Sequence, residues 1–314
     1  MTVTTIALDV GGTYIKGGAT GPDGTLRTTG RWPTLADRGP DAVLDSVLAA
    51  AAELAERHRP AAAGIAVPGI VDEATGVCLL AANLGWRGLA VRERLTEALG
   101  IPVALGHDVR AGGLAEARLG AGRGSRNFLF VPVGTGVAAA LMIGGRALAG
   151  SHSTAGELGH LPLLAGGGAC PCGGRNCLET VASAAAIARH YAADTGERDV
   201  TAKEVGERAA AGDRSAVAVW HTAIEALAEG LAAATTLFDP ERIVIGGGLA
   251  RAGERYFGPL RAAVAERLAF PRTPEIVPAE LGHHAGCQGA ALLATDLLAV
   301  RTARQAHPRS PSCR

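Results

Sequence analysis

The sequence predicts an α/β protein with two lobes and a cleft between them. The chain has 314 residues, more than one average domain, and 48% of them are hydrophobic, so a sizeable core is available. Its two halves share one layout: each opens with a strand, a glycine turn and a second strand, and then alternates helices with strands. This alternation is typical of α/β folds.

The first half begins with three apolar segments that we expect to pair as an antiparallel meander. The turn Gly21-Pro22-Asp23-Gly24 separates the second segment from the third, and Pro60 ends the helix that follows. The predicted elements are strands at 4–10, 14–20 and about 25–31, a helix from about 41, a strand at 61–69, a helix at 91–100, a strand at 101–108 and a helix that starts near Asp108.

The second half repeats this order after about residue 120. Its uncharged stretch Phe128–Gly145 contains Pro132 and four glycines, which indicates two buried strands joined by a turn and not a membrane helix. The predicted elements are strands at 127–136 and 137–145, a polar cysteine-rich insert at 151–178, a helical stretch that includes 213–238, a strand at 242–248, a helix at 251–268, a strand at 275–279 and a last helix near 286–300.

Charge and targeting signals exclude several function classes. Thirty basic residues balance 30 acidic ones, so we expect no broad electrostatic surface for nucleic acid or anionic membranes. The start MTVTTIALDVGGT has neither a basic leader nor a cleavable apolar stretch, which favours a cytoplasmic protein. Three of the six cysteines fall within eight residues, too close for an ordinary disulfide framework, and this indicates a metal site.

Three glycine turns follow predicted strands. They are Gly11-Gly12-Thr13, Gly134-Thr135-Gly136 and Gly246-Gly247-Gly248. Glycine allows the backbone to approach a phosphate closely, and the turn exposes its N–H donors. One such turn is also typical of an ordinary hairpin, but three in one chain predict a nucleotide site. The third turn, which precedes a helix, would let an adenine or ribose lie flat on the backbone.

Residues beside these turns fit the same interpretation. Thr13 adds a hydroxyl, Lys16 a positive charge, and Asp9 at the strand end is suited to hold Mg²⁺ through water. The window GTGVAA lacks the third glycine of a dinucleotide fingerprint and runs into a strand, which argues against NAD. The chain contains no Walker A sequence.

Four motifs together resemble the ROK family of sugar kinases. They are Asp9-Val10-Gly11-Gly12-Thr13, GIAVPG at 64–69, Glu157-Leu158-Gly159-His160 and CPCGGRNCLE at 170–179, in the family's order. The resemblance implies a two-lobed actin-like (ribonuclease H-like) ATPase fold and ATP-dependent phosphorylation of a hexose 6-hydroxyl. In its overall sequence the chain is similar to actinobacterial N-acetylglucosamine kinases and glucokinases.

The resemblance also implies a domain layout and an assembly. We expect a small lobe at 1–109 and a large lobe at 110–287 that carries the insert at about 151–178. A C-terminal helix at about 288–303 would pack back on the small lobe, and a flexible tail would occupy 304–314. Family members form homodimers or homotetramers, so a homo-oligomer is expected.

The roles of the site residues come from the same resemblance. The turns at Gly11–Thr13 and Gly134–Gly136 would clamp the phosphates of ATP, and Gly246–Gly248 would face the adenosine. Asp108, which follows a strand and opens a helix, matches the family's general base, although aspartate is also a common helix N-cap. The sugar ligands would be Glu157, His160 and Glu179, with Gly69 and Asn83 bordering the sugar.

One imidazole and three thiolates suit a tetrahedral zinc ion. His160, Cys170, Cys172 and Cys177 would fill all four positions, so we expect a structural zinc and not one that activates water; the alternative is a set of buried free thiols. His160 would bind zinc through one ring nitrogen and face the sugar with the other.

One residue departs from the family pattern. The family usually has Asn before the catalytic Asp, whereas this chain has His107. A neutral imidazole can also donate and accept a hydrogen bond, but with a different reach, so His107 bears on which sugar is bound.

Three other functions fit the sequence less well. A ROK transcriptional regulator needs a helix-turn-helix domain before the first strand, for which we expect no room here. An acetate-kinase-like or glycerol-kinase-like enzyme would lack the cysteine block, and a silent scaffold would not need Asp9, Asp108 and all three glycine turns. The sugar stays open among glucose, N-acetylglucosamine, N-acetylmannosamine, mannose, fructose and amino sugars, and so does the donor, ATP or polyphosphate.

Overall fold

The computed structural model describes residues 4–21, 25–162 and 168–306. Three predicted features fall partly outside these ranges: the turn at Pro22–Gly24, residues 163–167 of the insert, and residues 307–314 of the expected tail, which include Cys313. Residues 304–306, also assigned to that tail, are the last of a helix.

The described residues form two compact units. The first comprises the residues up to Ala115, Ser151–Ser153 and the residues from His284 on; the second comprises Glu116–Gly150 and Thr154–His283. The first unit extends beyond residue 109 because the helix that starts at Asp108 contributes Ala111 to a core shared with the last helix.

Within the described residues, the first unit contains two sheets and four α-helices, besides short 3₁₀ turns. Its elements in chain order are β1 (Thr5–Val10), β2 (Tyr14–Thr20), β3 (Leu26–Pro33), α1 (Pro40–His58), β4 (Ala62–Val67), β5 (Ile70–Asp72), β6 (Val77–Ala81), β7 (Trp86–Leu89), α2 (Val91–Leu99), β8 (Val103–His107), the start of α3 (Asp108–Leu119) and, at the far end of the chain, α9 (Ala285–Ala306).

The main sheet of the first unit has the order β3-β2-β1-β4-β8. Strands β1, β2 and β3 form the predicted antiparallel meander, while β4 and β8 run parallel to β1. The carboxyl ends of parallel strands meet at one edge of a sheet, which is where ligands bind in open α/β sheets. Asp9 near the end of β1 and His107 at the end of β8 therefore share one edge.

The two faces of this sheet are covered by different helices. Ile6, Leu8 and Val10 alternate toward the core that α1 covers, and Ala7 points toward α9. The α9 face is made of small residues because the backbones touch: a Cβ on Gly64 would collide with the carbonyl of Ala290.

The second sheet of the first unit was not predicted. Strands β5, β6 and β7 form an antiparallel sheet of three to five residues per strand. Such short segments, interrupted by the polar turn Asp72–Gly76, show no clear period in the sequence.

The second unit repeats the sheet of the first. Its elements are β9 (Phe128–Pro132), β10 (Ala140–Ile143), β11 (Arg146–Ala147), α4 (Glu179–Ala182), α5 (Ala184–Thr195), α6 (Ala202–Ala210), α7 (Arg214–Phe238), β12 (Arg242–Gly246), α8 (Glu254–Arg267) and β13 (Glu275–Pro278).

The order β11-β10-β9-β12-β13 again places antiparallel strands on one side of a central strand and parallel strands on the other. The stretch Phe128–Gly145 contains β9 and β10, as predicted. None of the helices in the described ranges has the length and hydropathy that a membrane span requires.

Candidate active site

The turn between β1 and β2 is the first predicted phosphate site. The Gly11 N–H donates to the Tyr14 carbonyl at 3.0 Å, and the Thr34 hydroxyl donates to the Gly11 carbonyl at 2.6 Å. Gly12 and Thr13 are exposed at the tip of this turn. The turn is thus fixed from below, and its tip faces outward as a phosphate-binding turn requires.

Asp9 lies beneath this turn and is electrostatically unusual. Its side chain is 15% exposed, and Lys16 Nζ lies 3.8 Å from Oδ2. Burial, followed by the negative charge of Asp108, raises the pKa of Asp9 to about 7, although Lys16 acts in the opposite direction. A buried carboxylate that is repelled by a second one suits a divalent cation, since Mg²⁺ prefers such oxygen ligands.

Asp108 is the first residue of α3. Its Oδ1 accepts the N–H of Val109 at 2.7 Å and lies 3.3 Å from Nε2 of His107. About a third of the Asp108 side chain is exposed, whereas that of His107 is buried. Asp9 and Asp108 lie at the carboxyl ends of the parallel strands β1 and β8, and the charge of Asp108 contributes to the raised pKa of Asp9.

Gly69 and Asn83 occupy different surroundings. Gly69 has φ +92°, and a Cβ there would collide with the Leu80 carbonyl, so this turn requires glycine. Asn83 lies beside the first glycine turn, where its Nδ2 would be 3.5 Å from a Cβ on Gly12. Asn83 therefore borders the predicted phosphate turn.

The second phosphate turn, in the other unit, is closed on itself. The Gly134 N–H donates to the Gly136 carbonyl at 2.9 Å, and the Ala184 N–H donates to the Gly134 carbonyl at 2.8 Å. Glu179 Oε2 accepts the N–H of Val137 at 2.9 Å, and a Cβ on Gly136 would collide with that oxygen. Glu179 thus supports this turn directly.

The third glycine turn lies against the second. The Val133 N–H donates to the Gly246 carbonyl at 3.0 Å, and Gly247 has φ +84°. Gly246–Gly248 line a cavity of about 240 Å³ whose other walls include Arg251, Pro278 and His283. The third turn therefore lines a cavity and is hydrogen-bonded to Val133, the residue before the second turn.

The four predicted metal ligands come together. Their ligand atoms all lie within 4.8 Å of one another, with 3.7 Å between the sulfurs of Cys172 and Cys177 and 3.7 Å between Cys170 Sγ and His160 Nδ1. Zinc–sulfur bonds of about 2.3 Å in a tetrahedron would place the sulfurs about 3.8 Å apart. The donor set and its spacing fit a tetrahedral zinc ion.

The loop around these sulfurs is shaped by backbone hydrogen bonds. The Gly173 N–H donates to the Cys170 carbonyl at 3.0 Å, and the Gly174 N–H donates to Cys172 Sγ at 3.4 Å. That second bond lowers the pKa of Cys172, while burial and the neighbouring thiols raise the pKa of Cys177 to about 12. A cation among the sulfurs would favour all three thiolates.

Glu157 stands next to this cluster. His160 lies with Nδ1 toward Cys170 and Nε2 3.9 Å from Glu157 Oε2. One ring nitrogen thus faces the predicted metal ligands and the other faces Glu157, a predicted sugar ligand. The sequence did not indicate three further residues near the site. A Cβ added at Gly286 would lie 2.8 Å from Asp9 Cγ, so this position requires glycine. Glu73 and Arg110 both contact His107.

Comparisons with known proteins identify the family of the chain. The sequence profile of the ROK family matches residues 5–297. Glucokinase of Thermotoga maritima is 32% identical over 302 residues, which cover 91% of this chain and 95% of the relative. N-acetylmannosamine kinase of Escherichia coli O157:H7 is 33% identical over 297 residues, which cover 93% and 98%.

Two solved structures are similar over their full length. The ROK hexokinase of Thermus thermophilus has a TM-score of 0.82 at 36% identity, with 96% of this chain and 100% of that chain covered. A ROK glucokinase from Streptomyces griseus, solved with glucose and AMPPNP, has a TM-score of 0.82 at 31% identity, with 93% and 99% covered. These structures confirm the predicted actin-like α/β fold. The chain belongs to the ROK family and is a sugar kinase.

Proposed function

We propose that the chain transfers the γ-phosphoryl group of ATP to the 6-hydroxyl of a hexose, with glucose or N-acetylglucosamine as the sugar. The single observation that carries the proposal is the pair of neighbouring carboxylates, Asp9 and Asp108, at the edge where β1 and β8 end. Glucose and a non-hydrolysable ATP analogue in the Streptomyces griseus relative support this choice of donor and acceptor.

Asp108 is the general base of the proposed mechanism. Val109 N–H donates to Oδ1 of its carboxylate, and His107 Nε2 lies 3.3 Å from the same oxygen. Oδ2 is then the atom that takes the proton of the 6-hydroxyl while O6 bonds to the γ-phosphorus and ADP departs. Phosphoryl transfer needs little covalent chemistry from the protein, so this residue supplies position and a proton acceptor.

Backbone donors hold the triphosphate. The turns at Gly11–Thr13 and Gly134–Gly136 present N–H groups to the phosphates, Lys16 adds positive charge, and Gly246–Gly248 accept the adenosine in the cavity that they line. Asp9 would hold Mg²⁺ through water, and the ion would supply positive charge to the transferring phosphates.

Glu157, His160 and Glu179 bind the sugar hydroxyls. Carboxylates accept hydrogen bonds from neighbouring hydroxyls, and Nε2 of His160 is the ring nitrogen turned away from the cysteines. Gly69, Asn83 and His107 border the sugar in this proposal. Zinc at His160, Cys170, Cys172 and Cys177 would fix the orientation of the His160 ring.

Three finer assignments complete the proposal. We take ATP as the donor because its adenosine would occupy the cavity beside Gly246–Gly248. Polyphosphate has no nucleoside to place there. N-acetylmannosamine is the next sugar to test, since the N-acetylmannosamine kinase of Escherichia coli O157:H7 is 33% identical to this chain. The enzyme works as a homodimer or homotetramer, as other members of the family do.

A substrate screen tests the function as a whole. ADP release would be followed with ATP and polyphosphate over glucose, N-acetylglucosamine, N-acetylmannosamine, mannose, fructose and amino sugars. We expect turnover with glucose or N-acetylglucosamine and ATP, and none with the 6-deoxy analogue of the preferred sugar. Turnover of the 6-deoxy analogue would contradict the choice of hydroxyl.

Asp108→Asn tests the base. General-base catalysis contributes roughly 10²–10⁴-fold, so turnover should fall by at least that much while the sugar Kd stays within a few-fold. Asp45→Asn, the same change at an exposed position of α1, is the matched control and should behave as wild type. An Asp108→Asn enzyme within tenfold of wild type would remove the base assignment.

A further inference from the structure

A buried guanidinium lies directly behind the proposed base. Arg110, on the first turn of α3, is 3% exposed. Its Nε donates to Glu73 Oε1 at 2.9 Å, Nη2 to the Val71 carbonyl at 3.0 Å and Nη1 to the Ser153 carbonyl at 3.2 Å. A charge this buried is held in one place because each of its three nitrogens donates to a fixed partner.

Glu73 connects this guanidinium to the chain just before Asp108. The same Oε1 atom that accepts Arg110 Nε also accepts the backbone N–H of His107 at 3.0 Å. The polypeptide at the end of β8 is therefore anchored to Glu73 one residue before the proposed base. Glu73 follows β5, an element outside the main sheet, so this anchor depends on tertiary structure.

The backbone of Arg110 fixes the neighbouring imidazole. Its N–H donates to His107 Nδ1 at 3.3 Å, so Nδ1 is an acceptor and Nε2 carries the proton of the neutral ring. That Nε2 lies 3.3 Å from Asp108 Oδ1. The ring consequently presents an N–H, and not an acceptor, beside the carboxylate.

We propose that Arg110 and Glu73 are positioning residues of phosphoryl transfer, which hold the His107–Asp108 segment so that one carboxylate oxygen and one imidazole N–H face the substrate in a fixed orientation. The inference rests on the proposed function, since it takes Asp108 as the base. Misplacement of a catalytic group by about 1 Å can cost roughly 10²-fold in rate, which is why such an anchor matters.

The contact with Ser153 extends the role of the anchor. Ser153 has φ +60°, an unfavourable conformation for a residue with a side chain, and its carbonyl accepts from Arg110. Glu157, a proposed sugar ligand, follows only four residues later in the chain. One guanidinium thus braces both the segment before the base and the backbone at Ser153.

The test compares Arg110→Met and Glu73→Gln with the exposed pair Arg123→Met and Glu280→Gln. Arg123 and Glu280 are 61% and 52% exposed and 3.2 Å apart, so they control for loss of an ion pair of the same residue types. Turnover would be measured per folded enzyme, with the folded fraction taken from circular dichroism. Arg110→Met should lower kcat about 10–100-fold and leave the KM for ATP within about threefold, because the phosphate turns are untouched.

The same substitution in an Asp108→Asn background separates positioning from simple stability. If the pair acts mainly through Asp108, Arg110→Met should cause a much smaller further loss of the residual turnover measured with radiolabelled ATP, because only its effects on His107 and Ser153 remain. An equal loss in both backgrounds, or a folded Arg110→Met enzyme with wild-type kcat, would overturn the inference. Should Arg110→Met fail to fold, Glu73→Gln provides the same comparison with a smaller change.

The two proposals fail in different ways. An active Asp108→Asn enzyme would remove the base assignment whatever Arg110 does. An inactive Asp108→Asn enzyme, together with fully active folded Arg110→Met and Glu73→Gln enzymes, would remove the positioning role alone.

Discussion

Glu179 Oε2 accepts the backbone N–H of Val137 at 2.9 Å, immediately after the Gly134–Gly136 turn. Glu179 is the first residue of α4 and directly follows the cysteine loop. A residue expected only to bind a sugar hydroxyl thus also shapes the second phosphate turn. The consequence is that the proposed sugar and nucleotide sites of the second unit share one carboxylate.

Glu179→Ala should therefore weaken the binding of both substrates. Loss of one hydrogen bond to a charged group corresponds to about 1.5–3 kcal/mol, so the KM values for sugar and for ATP should each rise roughly tenfold or more. Glu207→Ala, on the exposed face of α6, is the control. A change in the sugar KM alone, measured by steady-state kinetics, would show that Val137 does not need this acceptor.

The third glycine turn offers a pair of matched substitutions. Gly247 has φ +84°, and a Cβ there would collide with the Val133 carbonyl, whereas a Cβ on Gly248 would meet no atom within 4 Å. Gly247→Ala should destabilise the protein by about 1–3 kcal/mol and raise the KM for ATP, while Gly248→Ala should leave stability unchanged. Thermal melts and ATP titrations measure both effects, and equal behaviour of the two variants would contradict the geometry.

Asp9 should make stability depend on pH. Its pKa is raised from 3.8 to about 7, chiefly by burial, so between those values the folded state holds a proton that the unfolded state has lost. Stability therefore falls as the pH rises through this window, by an amount on the order of a few kcal/mol at most.

Asp9→Asn removes that loss and should raise the melting temperature at pH 8 but not at pH 4, in Mg²⁺-free buffer without nucleotide. Asp37→Asn, at an exposed position, should do neither. If Asp9→Asn changed the melting temperature by the same amount at pH 4 and at pH 8, burial would not be what holds the proton on Asp9.

The zinc assignment predicts a local effect of metal removal. One zinc per chain should be found by elemental analysis, and its removal by a chelator should increase hydrogen exchange at 168–178 and abolish sugar binding, since binding energy there is local folding energy. Cys172→Ser should reproduce this result, and Cys313→Ser, outside the described residues, should not. Full activity in a sample with less than about 0.1 zinc per chain would contradict the assignment.

The sequence predicts most strands of the main sheets because they lie in apolar runs, whereas the two-residue strand β11 was not predicted. Segments 14–20 and 242–248 correspond to β2 and β12, and the glycine turns mark where strands end. The cysteine cluster was equally accessible, because its four ligands lie close together in the chain and their chemistry is specific.

Other parts of the site depend on contacts between distant segments. Arg110 and Glu73 are 37 residues apart and meet only when β5 packs beside β8. Gly286 is needed because α9 passes directly over Asp9, which no local pattern reveals. Such residues are recognised from packing and hydrogen bonds, not from periodicity.

The two ring nitrogens of His107 have separate partners, so substitutions can remove them one at a time. Nδ1 accepts the Arg110 N–H, and Nε2 lies beside Asp108. Asn places a polar group near the position of Nδ1, while Gln places its amide near the position of Nε2. The two substitutions therefore each preserve one of the two contacts.

If the Nε2–H donates to a sugar hydroxyl, His107→Gln should keep the KM for the sugar within about threefold, whereas His107→Asn should raise it roughly tenfold, the effect of one lost hydrogen bond. The KM for ATP should not change in either variant. The opposite ranking would mean that the acceptor for Arg110 matters more than the donor to the sugar. In that case His107 would serve the anchor formed by Arg110 and Glu73 and would not contribute to the choice of sugar.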